Sequence, residues 1–128
     1  MKKTRSIYQT DKAPQPIGPY SQAVKAGETL YISGQIGLNP DTGQLEDQTL
    51  ETETRQMMAN VKAILNEAGM TLEHIVKCTI YLAEMDTFPT INTLYGQYFG
   101  EQPPAREAIA VKELPKGAHV EIAVIAVE

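Results

Sequence analysis

The run His119-Val120-Glu121-Ile122-Ala123-Val124-Ile125-Ala126-Val127 holds a single acid among apolar residues. Withdrawing an ionised carboxylate from water costs on the order of several kcal/mol unless a partner compensates it. Glu121 therefore has a partner or a function, unless the strand lies at a sheet edge and the side chain faces solvent. Arg106 is the second candidate. It follows Pro103-Pro104-Ala105 and opens another apolar segment. A guanidinium grips a carboxylate through two parallel N–H···O bonds, which suits Arg106 to hold an acid substrate at the mouth of a strand. The plain alternative is a surface ion pair with Glu101 or Glu107.

Three further places could touch a ligand. Tyr20 follows Gly18-Pro19 in a rigid loop, where its phenol can donate a hydrogen bond or simply pack. Ser33-Gly34-Gln35 stands at the end of an apolar strand, and a glycine there admits either a close approach of ligand to backbone or a β-bulge. Asn92 falls in a helix and either binds a ligand or faces water. Metal chemistry is not expected: His74, His119 and Cys78 are the strong nitrogen and sulfur ligands of the chain, and they lack ligand spacing. Cys78 alternates with Val76 and Ile80 and reads as a small packed hydrophobe. No phosphate loop, dinucleotide fingerprint or Gly-x-Ser-x-Gly turn occurs.

The elements that must position these residues follow from periodicity and turn chemistry. Residues 4–9 suggest a weak first strand. The prolines of Ala13 to Tyr20 exclude helix and central strand. Ala23 to Lys25 and Thr29 to Ile36 read as strands joined by the turn Ala26-Gly27-Glu28, and Asn39-Pro40-Asp41-Thr42-Gly43 is a strong turn. A helix is predicted from about Thr49 to Ala68, with Met57, Val61, Ile64, Leu65 and Ala68 on one stripe and Gly69 as its stop. Ile75 to Ala83 reads as a strand with Val76, Cys78, Ile80 and Leu82 on one face. Asp86 or Thr87 caps a second helix ending near Phe99, with Phe88, Ile91, Tyr95 and Tyr98 on a common face and Pro89 in its first turn. Arg106 to Val111 and His119 to Val127 are the last strands, separated by a turn at Pro115-Lys116-Gly117. The order β-β-β-α-β-α-β-β is that of an α+β layer, a mixed sheet with two helices on one face. The uncovered sheet face is expected to pack against other subunits.

Composition narrows the function classes. At 128 residues, 42% hydrophobic and 21% charged, the chain suits one domain spanning 1–128. Its net charge of −5 argues against a nucleic-acid partner, whose binding needs a basic face. A lone cysteine excludes an internal disulfide. Met1-Lys2-Lys3 is basic, but the polar residues after it break any secretory apolar region, and the longest apolar run, Ile122 to Val127, is far too short for a membrane span. The expected setting is soluble and cytoplasmic, with no membrane partner.

Several motifs, taken together and in order, carry a family resemblance. They are Ile17-Gly18-Pro19-Tyr20-Ser21-Gln22-Ala23, Ser33-Gly34-Gln35-Ile36, Asn60-Val61-Lys62-Ala63-Ile64-Leu65, Pro104-Ala105-Arg106, and Leu114-Pro115-Lys116 followed by Val120-Glu121-Ile122. From about Ala13 to its C-terminus the chain resembles the RidA/YjgF family, also labelled endoribonuclease L-PSP. The resemblance implies a chorismate-mutase-like fold and a homotrimer with ligand sites at the subunit interfaces. It implies hydrolytic deamination of 2-iminobutanoate and 2-iminopropanoate without metal or organic cofactor. It also implies that Arg106 clamps the substrate carboxylate, that Glu121 polarises the attacking water, and that Tyr20, Ser33, Gly34 and Asn92 line the pocket. Many members carry Ser-Cys directly after the arginine; Glu107-Ala108 stands here, so chemistry of a thiol at that position is absent. A non-catalytic trimer that binds small carboxylates would use the same arginine. An endoribonuclease fits the charge and the two histidines poorly.

Overall fold

The computed structural model describes residues 4–128. The basic start Met1-Lys2-Lys3 lies outside them. Six strands and two helices follow in the order β1 (Arg5–Tyr8), β2 (Ala23–Ala26), β3 (Thr29–Gln35), α1 (Leu50–Glu67), β4 (Ile75–Leu82), α2 (Phe88–Gly96), β5 (Ala105–Ala110) and β6 (Val120–Val127). The sheet order is β1-β2-β3-β6-β4-β5. Only β4 and β5 pair in parallel; the other neighbours are antiparallel. This is the α+β arrangement that the element order predicts.

Local chemistry accounts for the helix limits. Thr49 caps α1: its hydroxyl accepts from the Thr52 amide at 3.0 Å, while the Thr52 hydroxyl accepts from the Thr49 amide at 3.1 Å. Gly69, at φ +74°, takes the left-handed turn that stops it. Met57, Val61, Ile64 and Leu65 are fully buried against β3 and β6, and Ile91, Leu94 and Tyr95 of α2 are buried as well. Each such large aliphatic side chain contributes roughly 1.5–3 kcal/mol on leaving water. The regular part of α2 ends at Gly96, and residues 97–99 continue as tighter turns with Phe99 N donating to the Gly96 carbonyl at 3.3 Å.

Two details differ from the sequence expectation. In β4 the inward residues are Ile75, Cys78, Ile80 and Leu82, whereas Val76 is 47% exposed. The pairing with β6 slips between Ile75 (opposite Ala126) and Lys77 (opposite Ile125), so an extra residue sits in the strand and Ile75 takes the inward place. The second concerns β6. It lies between β3 and β4 in the middle of the sheet, not at the edge that the plain alternative for Glu121 requires. Glu121 therefore projects from the centre of the sheet, and the edge-strand explanation for it falls away.

The sheet face opposite the helices carries a row that crosses all six strands: Ile7, Val24, Tyr31, Ile125, Lys77 and Ala105 are successive partners. Ile7 and Tyr31 are at least half exposed, and Ile109 farther along this face is nearly so. Among the described residues no helix is long and apolar enough to cross a membrane.

Candidate active site

The proline-rich loop before β2 is fastened by one buried glutamine. Gln22 Nε2 donates to the carbonyls of Thr10, Ala13 and Pro14 at 3.1, 3.3 and 2.9 Å, and its Oε1 accepts from the Thr10 amide at 2.7 Å. These bonds satisfy backbone groups that no sheet partner reaches. They hold the loop so that Ile17 and Tyr20 stand exposed at its tip. The Tyr20 amide closes a tight turn onto the Gly18 carbonyl at 2.8 Å.

Beside that loop β3 bulges. Its register against β6 shifts between Ile32 and Gln35, which places Ser33 and Gly34 at the irregularity. The Ser33 amide donates to the Gln22 carbonyl at 2.9 Å, and its hydroxyl donates to the Ser21 carbonyl at 2.5 Å. Gly34 faces Glu121 across the strand pair, and a Cβ at Gly34 would overlap the Glu121 carboxylate. The bulge, the plain alternative in the sequence, is present, and the group that lies against Gly34 is the chain's own Glu121 carboxylate.

Glu121 is half-buried and, among the described residues, its carboxylate has neither a hydrogen bond nor an ion pair. Burial pushes its carboxyl above the ordinary carboxylate range. It opens into a cavity of about 450 Å3 that also meets Tyr20, Ser33 and Gly34. The walls are largely apolar, with Ile17, Leu38 and Pro115 among them, and Lys116 stands at one side. Lys116 has φ +57°, a left-handed conformation that is uncommon for a residue with a Cβ.

Arg106 and Asn92 lie elsewhere. Arg106 is the β5 partner of Cys78, whose side chain points to the helix-covered face. Its guanidinium sits over the rings of Phe88 and Tyr95, and Nη1 donates to Asn92 Oδ1 at 2.5 Å. Glu121, the partner of Tyr81, projects from the opposite face. One chain thus brings Tyr20, Ser33, Gly34 and Glu121 together and keeps Arg106 with Asn92 apart from them. The surface pair expected as the plain alternative does not form: Glu107 takes Lys77 at 2.9 Å, and among the described residues Arg106 has no carboxylate partner.

Other polar residues support the cavity without having stood out in the sequence. Asn60, buried in α1, donates to the carbonyls of Ile36 and Leu38 at 3.0 and 2.9 Å and so fixes the strand exit that walls the cavity. Glu53, also fully buried, accepts from the His119 amide at 2.7 Å through Oε2 and contacts His119 Nδ1 at 2.8 Å through Oε1. It anchors the start of β6, two residues before Glu121. A signal existed: Glu53 and Asn60 fall on the same helical stripe as Met57, Val61 and Ile64, where an unpartnered polar group would be costly.

Comparison with known proteins gives a consistent result. The family described as Endoribonuclease L-PSP matches residues 10–128. A 2-iminobutanoate/2-iminopropanoate deaminase of Bos taurus is 48% identical over 97% of this chain and 90% of its own length. A RutC family protein of Pyrococcus horikoshii is 47% identical over 95% of this chain and 97% of its own. The crystal structure of RidA from the Antarctic bacterium Psychrobacter superposes with a TM-score of 0.92 at 41% identity, covering 96% of this chain and 99% of that one.

Proposed function

Because this chain belongs to the Endoribonuclease L-PSP family, the family of YjgF and RidA, we propose that it hydrolyses reactive 2-imino acids, 2-iminobutanoate and 2-iminopropanoate, to 2-oxo acids and ammonia. The observation that carries the reading is the half-buried, unpartnered Glu121 carboxylate facing a cavity beside Gly34. Relatives bearing the name of this deaminase, aligned over 97% of this chain, support the substrate class.

The separation of Arg106 from Glu121 supports a site shared between subunits. In the proposed homotrimer, the Arg106 and Asn92 side of one subunit closes the Glu121 cavity of the next. The exposed apolar groups on the uncovered sheet face, Ile7 and Tyr31 among them, favour such an assembly.

The chemistry then runs on side chains alone. Arg106 takes the substrate carboxylate through its free N–H donors and fixes the C=N carbon against the cavity. Orientation of this kind contributes on the order of several kcal/mol to lowering a barrier. Water adds to that carbon as Glu121 accepts its proton, a general-base effect of roughly 10²–10⁴-fold. Burial raises the proton affinity of the Glu121 carboxylate, which improves it as a base and lets it return the proton to nitrogen. The carbinolamine collapses to the oxo acid and releases ammonia. No metal or organic cofactor enters these steps. The proposed setting is the cytoplasm, where pyridoxal-phosphate dehydratases release such imines.

The test couples this protein to a threonine dehydratase with semicarbazide present to trap free imine. Wild type should lower the yield of semicarbazone, and Arg106→Ala should leave that yield as without enzyme. Unchanged trapping by folded, oligomeric wild type would overturn the deaminase reading and favour a carboxylate-binding trimer.

A further inference from the structure

Arginine is long, and an exposed arginine without an acid partner ordinarily samples many rotamers. Arg106 is held by α2 instead. Its guanidinium carbon lies 5.2 Å from the centroid of the Phe88 ring and 5.1 Å from that of Tyr95. Phe88, Asn92 and Tyr95 are four and three residues apart, so they share one face of the helix. Asn92 accepts from Nη1 on that same face.

The two rings differ in setting. Phe88 is half-buried, while Tyr95 is 4% exposed and braced by the Phe99 ring at 4.8 Å. The Tyr95 hydroxyl is buried beside the Cys78 thiol and makes no well-formed hydrogen bond. The ring is the part of Tyr95 that meets Arg106. Ring faces attract a cation without consuming its N–H groups. A carboxylate partner would have occupied those donors. This platform holds the charge in place and leaves most of the fork open.

We infer that Phe88 and Tyr95 are positioning residues that set the Arg106 guanidinium for a substrate carboxylate. The inference rests on the assignment of Arg106 as the carboxylate clamp in the proposed deaminase.

The experiment measures kcat and KM for imine turnover, with each variant first checked for assembly. Phe88→Leu and Tyr95→Leu remove an aromatic face and keep apolar bulk. Each is expected to raise KM by about 3- to 5-fold with kcat moved less, the size of a partly exposed cation–π contact. Tyr95→Phe, which keeps the ring, should restore the wild-type KM. In an Arg106→Lys background, where no planar fork remains to be set, Phe88→Leu should change KM by less than about 2-fold. A purely structural role would lower the amount of active enzyme, reducing apparent kcat at constant KM, and that result would overturn the inference. So would an equal KM penalty in both backgrounds. If Arg106→Ala abolishes turnover while Phe88→Leu leaves KM unchanged, the clamp stands and the platform falls. Full turnover by Arg106→Ala would overturn both.

Discussion

The Glu121 cavity and the Arg106 platform hold opposite charges by opposite means. Glu121 sits in the middle of the sheet, half-buried, with its charge uncompensated by any described neighbour. Arg106 sits near the sheet edge on β5, exposed, and is held by two rings and an asparagine. The acid is placed by backbone: a bulge, a glycine and a central strand. The guanidinium is placed by side chains on one helix. Such a difference teaches that the two halves tolerate change differently. The first fails when geometry shifts by one atom, and the second when contact chemistry is altered.

The largest expected effect comes from separating the halves genetically. Arg106→Ala and Glu121→Gln should each abolish most turnover in uniform assemblies. Co-assembled at equal amounts after unfolding and refolding, they should regain about a quarter of wild-type sites if each site draws on two neighbouring subunits of a ring. Zero recovery in verified mixed oligomers would mean that both residues act within one chain.

Next in size is the effect of pH on the acid. A carboxyl raised by burial contributes stability below its ordinary pKa and loses it as pH climbs through the raised value. Glu121→Gln cannot ionise. Its Tm should therefore exceed that of wild type by roughly a few degrees at neutral pH, and the gap should close near pH 4. The acid limb of wild-type kcat/KM should lie above the ordinary carboxylate range. Equal melting curves at both pH values would show that burial does not burden this carboxylate.

The most local change is Gly34→Ala. The new Cβ would overlap the Glu121 carboxylate. Displacing that group, without removing it, should lower kcat by about tenfold and cost roughly 1–3 kcal/mol of stability, readable by turnover and urea unfolding. Activity equal to wild type would mean that the carboxylate has room to swing away and still work.

Much of this was legible in the chain. The stripe Met57, Val61, Ile64, Leu65 with Thr49 before it and Gly69 after it fixes a helix by local rules alone. Glu121 and Arg106 stand out because each breaks the chemistry around it. What could not be read were pairings distant in sequence. Nothing local says that β6 inserts between β3 and β4, that one extra residue turns Val76 outward, or that Glu121 and Arg106 leave opposite faces of the sheet. Glu53 and Asn60 were visible as polar residues on an apolar stripe. Their partners, His119 and the carbonyls of Ile36 and Leu38, became apparent only once the loops had closed on them.

The central place of β6 bears on how the molecule comes into being. β3 and β4 both run antiparallel to it and are joined within the sheet only through it. Yet β6 is the last of the six to leave the ribosome. Until it does, the sheet is two separate pieces with bare edges, and the helices have no complete floor to settle on. Closure depends on contacts between distant parts of the chain, which are slow to form. A nascent or truncated chain lacking Val120–Val127 would present those edges to other chains, an invitation to aggregate. The strand that finishes the fold also delivers Glu121, so no partly made copy carries the acid before the sheet can close around it.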